Sequence, residues 1–226
     1  MRSENVTASR MKIQNSPTIR RMPAYLHRLL EMQQEGRESV SSTELAEYMH
    51  IEPIVVRKDI ALTGISGQRR VGYHVDELIR FIKNYLGWQN PVRAALIGAG
   101  ALGTALLGYD DFAHYGLILD SVFDCDAKKI GTRIRGKEIF SMESMEERLK
   151  KSPVSLAIIC VSSAAAQSVV DRLVNVGVRC IWNFANVSLR TPPGVIVQRE
   201  VIAGGLAMLS VKMKNSRLHP GAEILE

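Results

Sequence analysis

The sequence predicts two domains of different class: an N-terminal all-α, winged helix-turn-helix domain, then an α/β domain with a parallel sheet covered on both faces and a C-terminal helix. Three observations carry this. Up to residue 87, short runs with helical spacing are joined by tight turns and followed by a basic hairpin flanked by glycines. From Arg93 onward, strand-like and helix-like runs alternate, the pattern of a parallel sheet with crossover helices. At the first crossover, Gly98-Ala99-Gly100-Ala101-Leu102-Gly103 stands between the apolar run Ala94–Ile97 and the helix-like Thr104-Ala105-Leu106-Leu107.

Residues 1–15 are polar and without periodicity, which predicts a flexible segment. Ser16-Pro17 reads as an N-cap with proline at the first helical position. Ile19, Met22, Leu26, Leu29 and Leu30 then recur at helical spacing to about Gln34, and Gly36 ends the helix. Ser41-Ser42-Thr43-Glu44 has the form of a capping box, Ser41 capping and Glu44 reaching back. It opens a short helix ending near Met49. A turn at Ile51-Glu52-Pro53 leads to a third helix, about Ile54 to Leu62, broken by Gly64 and Gly67. Two short helices joined by a tight turn predict a helix-turn-helix. In the second of them Val55, Val56 and Ile60 take inward positions, and Arg57 and Lys58 outward ones.

Gly67-Gln68-Arg69-Arg70-Val71-Gly72-Tyr73 is then the basic hairpin, or wing. In such a domain the third helix enters a major groove, where Arg57 and Lys58 meet phosphates or base edges. Arg69 and Arg70 reach the adjacent backbone or minor groove. The same charges also fit a face that only solvates the domain, and on the residues alone both readings stand. Val75 to Leu86 is an amphipathic helix ended by Gly87. The expected organisation is a winged-helix domain over 16–87, a proline-stiffened linker over 88–92, an α/β domain over 93–200, and a dimerisation helix and tail over 201–226.

Hydrophobic residues make up 46% of the 226, enough for a packed core. No run reaches the roughly 18 apolar residues of a membrane span, and the N-terminus has no signal-peptide core. The three cysteines, Cys125, Cys160 and Cys180, lack metal-ligand spacing. Together these predict a cytoplasmic protein with no membrane partner and no metal, and with buried, reduced thiols at Cys125 and Cys160. The net charge is +6. Residues 1–90 carry 13 Lys+Arg against 10 Asp+Glu, so half the excess lies in each domain. Placement, not total charge, therefore points to a polyanion.

In the second domain, strands are expected at Ala94–Ile97, Leu117–Phe123, Ser155–Val161, Arg179–Asn183 and Val195–Val197. Helices are expected at Gly103–Leu107, Met142–Lys150, Ala164–Asn175 and Val201–Met213. A strand, G-x-G-x-x-G, a helix and an acid at the tip of the next strand, Asp124, form the dinucleotide fingerprint of a Rossmann domain. The first glycine permits the tight turn, the second admits a pyrophosphate, and the third lets helix and sheet pack closely. The helix N-terminus offers free N–H groups to the anion. Asp124 would accept bonds from the adenosine ribose, favouring NAD over NADP. A glycine turn that binds nothing is the competing reading.

Several motifs fall in register over both domains: Val56-Arg57-Lys58-Asp59, Gly64, Gly67 and Val71-Gly72-Tyr73 in the first, then Gly98 to Gly103, Phe123-Asp124-Cys125-Asp126, Ala166-Gln167 and Asn183-Phe184-Ala185. On these residues, from about Ser16 to Met213, the chain resembles the Rex family of bacterial redox-sensing transcriptional repressors. The resemblance implies a homodimer that binds a double-stranded inverted-repeat operator and senses the NADH/NAD ratio, NADH releasing the DNA. DNA contact falls to Arg57, Lys58, Arg69, Arg70 and Tyr73. Gly98, Gly100 and Gly103, with the backbone of Ala99, Ala101 and Leu102, would hold the pyrophosphate, and Asp124 the ribose. Lys129 borders the adenine or is simply solvated. Val161, Ser162 and Ser163, with Asn183, Ala185 and Asn186, end two later strands near the nicotinamide half. Tyr109 matches a family tyrosine near that ring, or is a core residue. A swapped C-terminal helix would bury Ile202, Leu206, Met208, Leu209 and Val211 in the partner, the alternative being packing on its own domain.

The chain departs from the family pattern at Ser162 and Asn186, where prolines are usual, and at Thr63, where an aromatic is usual. Val201 stands where the family has an aspartate that pairs with a first-helix arginine in one state, and Ile202 replaces an aromatic. Arg21 matches that arginine and is expected to lack its partner. Glu200 would point about 100° away around a helix. The expectation is a Rex-type repressor with a weakened NADH response. The alternative is a paralogue that binds another adenine nucleotide, or none, and regulates without redox sensing. A dehydrogenase would need a proton donor beside the nicotinamide. None of His27, His50, His74, His114 and His219 ends an expected strand, and there is no room for a substrate domain, so no enzyme is expected.

Overall fold

The structure, a computed structural model, describes residues 16–218, with side chains from 17 to 215. The expected flexible segment 1–15, the side chain of Ser16, His219 and the rest of the tail lie outside the described residues. The chain divides into two compact units between Asn90 and Pro91.

The first unit contains α1 (Ser16–Gln34), β1 (Ser39–Val40), α2 (Ser42–Met49), α3 (Pro53–Ala61), β2 (Tyr73–His74) and α4 (Val75–Tyr85). Its core takes Met22, Tyr25, Leu26 and Leu29 from α1, Leu45 from α2, Val56 and Ile60 from α3, and Leu78 and Ile82 from α4. The capping box of α2 is formed as the sequence implies. Ser41 Oγ accepts from the Glu44 amide at 3.1 Å, and Glu44 Oε2 accepts from the Ser41 amide at 2.9 Å. β1 and β2 pair antiparallel, Val40 opposite Tyr73, which ties the return of the wing to the start of α2. One inward assignment shifts. Val56, Asp59 and Ile60 are buried, while Val55 is half-buried, because at 100° per residue it sits at the edge of their face.

The second unit contains β3 (Val92–Ile97), α5 (Ala101–Leu107), β4 (Leu117–Asp124), β5 (Arg133–Ile134), β6 (Lys137–Ser141), α6 (Met145–Lys151), β7 (Leu156–Ile159), α7 (Ser163–Asn175), β8 (Cys180–Asn183), β9 (Ile196–Arg199) and α8 (Ala203–Leu218). The strands lie in the order β5-β6-β4-β3-β7-β8-β9. β5 and β6 form a hairpin, and every other pair is parallel. Counted along the unit, the parallel strands run third-second-first-fourth-fifth-sixth, so the order reverses between β3 and β7. Alternate residues serve opposite faces. Ala95, Ile97, Ala157 and Ile159 pack against α6 and α7; Ala94, Leu96 and Ile158 pack with Leu106 and Leu107 of α5.

The β5–β6 hairpin was not expected. β5 is too short for alternation to register, and β6 holds one buried residue, Ile139. The expected helix from Met142 opens instead with a 3₁₀ turn, Met142–Ser144, capped by Ser141. Cys125 is exposed, not buried, because it is the first residue beyond β4. Cys160 is half-buried, and burial pushes its thiol up to about 11. The apolar residues Ile202, Leu206, Met208, Leu209 and Val211 are all exposed, so this helix does not bury them against its own chain.

Candidate functional site

The C-terminal ends of β3, β4, β7 and β8 converge on the place where strand order reverses, and the glycine turn occupies it. Gly98 has φ +97°, and a Cβ there would lie 2.7 Å from the Cys160 carbonyl oxygen. Its amide donates to the Phe123 carbonyl at 2.8 Å, so β3, β4 and the loop after β7 meet at this residue. At Gly103 a Cβ would overlap the Gly98 carbonyl oxygen. Gly100, the N-cap of α5, has nothing within 4 Å of a notional Cβ. Two glycines are thus required by packing, and the middle one opens onto free space at a helix N-terminus.

Asp124 ends β4 and is 6% exposed. Its Oδ2 accepts from the Ala99 amide at 2.8 Å and from Lys129 Nζ at 3.2 Å, and its Oδ1 from the Asp126 amide at 2.8 Å. Burial works to raise this carboxyl. The Asp126 and Ala99 amides and the Lys129 ammonium outweigh it and hold the group below the usual carboxylate range. Beyond the ribose that its type and position suit, Asp124 anchors the glycine turn. Lys129 is paired with this carboxylate, not merely solvated.

The remaining expected residues are dispersed along the same edge. Ser162 is the N-cap of α7, which Ser163 opens, and its side chain makes no cap bond. Asn183 is fully buried: Nδ2 donates to the Val187 carbonyl and Oδ1 accepts from the Ala185 amide, both at 2.9 Å. Its side chain is therefore spent on shaping the loop after β8. Tyr109 is exposed, its ring edge-on to Phe112 at 4.9 Å. It follows the C-terminal end of α5, and seven residues put the two ends of that helix about 10 Å apart.

In the first unit, Arg57 and Lys58 on α3 and Arg69 and Arg70 in the wing are exposed. The wing is a tight turn. Gln68 and Gly72 exchange backbone bonds at 2.7 and 2.9 Å, and Arg70 takes φ +67° at the tip. Tyr73 is half-buried at its base.

Beneath α3 lies a polar knot that the sequence reading missed. Asp59, 2% exposed, accepts from Arg21 Nε at 2.6 Å and Nη2 at 2.8 Å, from Thr18 Oγ1 at 2.7 Å and from the Tyr25 hydroxyl at 2.8 Å. Burial raises this carboxyl, but Arg21 foremost, with Thr18 and Tyr25, brings it below the ordinary value. Burial also pushes the Tyr25 phenol up. Arg21, expected to lose the aspartate of the C-terminal helix, is nonetheless paired: its fork is bidentate on Asp59. An acid following two cations on one short helix was the available signal, since helical spacing turns it away from their face.

Comparison with known proteins bears on both units. The family model CoA_binding, the CoA binding domain, matches residues 89–187. The model Put_DNA-bind_N, for a DNA-binding protein N-terminus, matches 15–61. A redox-sensing transcriptional repressor Rex from Treponema denticola is 40% identical over 209 residues, covering 92% of this chain and all of the relative. The Rex of Desulfitobacterium hafniense is 38% identical, covering 88% of this chain and 95% of its own. The crystal structure of RSP, a Rex-family repressor, solved in complex with β-NAD+ and operator DNA, superposes with a TM-score of 0.79 at 31% identity, over 92% of this chain and 95% of that one. RSP with β-NADH gives 0.78 over 92% and 97%. Extending over both units, this similarity places the chain in the Rex family of redox-sensing transcriptional repressors.

Proposed function

We propose that this chain is a cytoplasmic transcriptional repressor of the Rex type, binding an inverted-repeat operator as a homodimer and NAD or NADH in its Rossmann unit. The observation that carries the reading is the pairing, in one chain, of a basic winged helix with a glycine turn open at its middle glycine. The free N–H groups at the start of α5 would face the pyrophosphate at Gly100. Asp124 holds the turn through Ala99 and keeps lone pairs for ribose hydroxyls, with Lys129 beside it. Ser162, Ser163 and the loop shaped by Asn183 would border the nicotinamide half. The reading assigns a catalytic role to none of these residues. On DNA, Arg57 and Lys58 would enter the major groove while Arg69 and Arg70 meet the flanking backbone. The exposed Ile202, Leu206, Leu209 and Met213 recur along one side of the C-terminal segment, which supports burial of α8 in a second copy.

The NADH response is proposed to be weakened. A ligand shifts an equilibrium only through different affinities for its two states, and Val201, apolar and exposed, supplies no charge for such a difference. The same observation favours, as second reading, a redox-insensitive regulator that holds another adenine nucleotide or none. Fluorescence anisotropy on a labelled inverted-repeat duplex, at fixed salt with NAD and with NADH, tests the proposal. The expected result is tight binding changed less than about fivefold by NADH, the low end of usual coupling. Release by NADH over two orders of magnitude would refute the weakened response, and no duplex binding would refute the repressor reading. Melting with NADH, NAD, ATP and ADP separates the ligands, since one that binds only the native state raises its stability.

A further inference from the structure

α3 carries a face that its own unit does not use. With Val56, Asp59 and Ile60 buried, Ile54, Arg57, Lys58 and Ala61 share the opposite side at i, i+3, i+4 and i+7. All four are exposed, Ile54 to 48%. The acids of this stretch are off the face. Asp59 is buried under Arg21, and Glu52 is the N-cap, about 200° round from Ile54. Two cations are therefore flanked, towards each end of the helix, by two apolar side chains. Phosphate contact explains the cations and gives the apolar pair nothing. In the major groove the apolar group on offer is the thymine methyl.

We infer that Ile54 and Ala61 read thymine methyl groups on either side of the base pair that Arg57 or Lys58 reads. This rests on the proposed DNA-binding role of the first unit. Seven residues of helix advance about 10 Å, and base pairs rise about 3.4 Å each. A helix in the groove lies oblique to the duplex axis, so the two thymines, on either strand, should be about two to three base pairs apart in each half-site, with the pair read by the cation between them.

The test uses the full chain. Duplexes are selected from a randomised pool, and the best is remade with deoxyuridine in place of each thymine in turn, which removes only the methyl. Losing one methyl should weaken binding about fourfold, and about fifteenfold when both half-sites carry the change, from the usual transfer energy of one carbon. The sensitive positions should be two per half-site at the stated spacing. Ile54→Ala, an exposed change whose fold is checked by melting, should abolish uracil sensitivity at one position and leave the other intact. Indifference of the wild-type chain to uracil everywhere, or unchanged sensitivity in Ile54→Ala, overturns this inference alone. Failure to retain any duplex above pool background overturns the DNA-binding reading and this inference with it.

Discussion

Replacing Asp59 with asparagine keeps the shape of the knot beneath α3 and removes its charge. Asp59 accepts four bonds from three donors, two of them from Arg21. Breaking a buried pair from one side costs about 3–5 kcal/mol, because the remaining charge is left uncompensated. The Arg21 side chain is 28% exposed and can regain some hydration, which places the loss at the low end, about 3 kcal/mol. In a domain of this size each kcal/mol moves the midpoint by about 4–8 °C, so the first unit should melt about 12–24 °C lower. Hydrogen exchange of α1 and α3 amides, followed with temperature, reads this unit apart from the second. Arg21→Met combined with Asp59→Asn should cost less than the sum of the two, since both break one interaction. A pH series gives an independent check. The folded Asp59 carboxyl lies below its unfolded value, so its contribution is complete above about pH 4 and is lost as pH falls through the folded value. The asparagine variant should lack that acid component. A variant melting within about 2 °C of the wild-type chain would refute the assignment, because even the low end of the expected loss is several-fold larger.

The two glycine roles separate by substitution. Gly100→Ala, facing open space, should leave melting unchanged and abolish the shift given by NAD or NADH. Gly103→Ala, driven against the Gly98 carbonyl, should lower melting without any ligand. Arg69→Ala with Arg70→Ala should reduce the slope of log affinity against log salt by about 0.9 per lost phosphate contact, about 1.8 per protomer. An unchanged slope would remove the wing from the backbone. Ser41→Ala should destabilise the first unit by about 0.5–2 kcal/mol in denaturant melts, the usual worth of a cap.

The parts of the fold legible in the sequence are those fixed by local chemistry. The capping box at Ser41 and Glu44 and the glycine turn at 98–103 concern groups within a few residues of one another, so spacing states the geometry. The β5–β6 hairpin was illegible because its strands are short and one sits at the sheet edge, where alternation has little core to report. At the candidate sites, residue types were legible and partners were not. Asp124 suited a ribose, yet its bond to the Ala99 amide depends on two strands meeting. Asn183 suited a ligand at a strand tip, yet its amide closes its own loop. Asp59 followed two cations, and helical spacing turns it from their face, but only the packing of α1 on α3 shows that its partners are Arg21 and Tyr25. For Asp59 and for the Ala99 bond of Asp124 the missing information is a contact between residues distant in sequence; for Asn183 it is the path of a loop two to four residues long, which spacing does not state.

The Asp59 knot also bears on how a redox signal could reach α3. The resemblance to the Rex family assigns Arg21 to an aspartate at the head of the C-terminal helix, and Val201 removes that acid. Arg21 is not left idle: it gives two bonds to Asp59 and one, at 3.5 Å, to Thr18. To pair elsewhere it would have to leave a buried carboxylate, at a cost of the order of 3 kcal/mol or more. That is comparable to the whole coupling of a typical allosteric pair, about 1–3 kcal/mol. A response through this pair needs both an acid at 201 and a released Arg21, so restoring the acid alone with Val201→Asp should change the ratio of operator affinities in NAD and NADH by less than about twofold while Arg21 stays on Asp59. Anisotropy titration of the variant against the wild-type chain measures that ratio directly. A rise of tenfold or more, about 1.4 kcal/mol, would mean that Arg21 exchanges between Asp59 and the new acid, and that the knot is itself the element whose equilibrium the nucleotide moves.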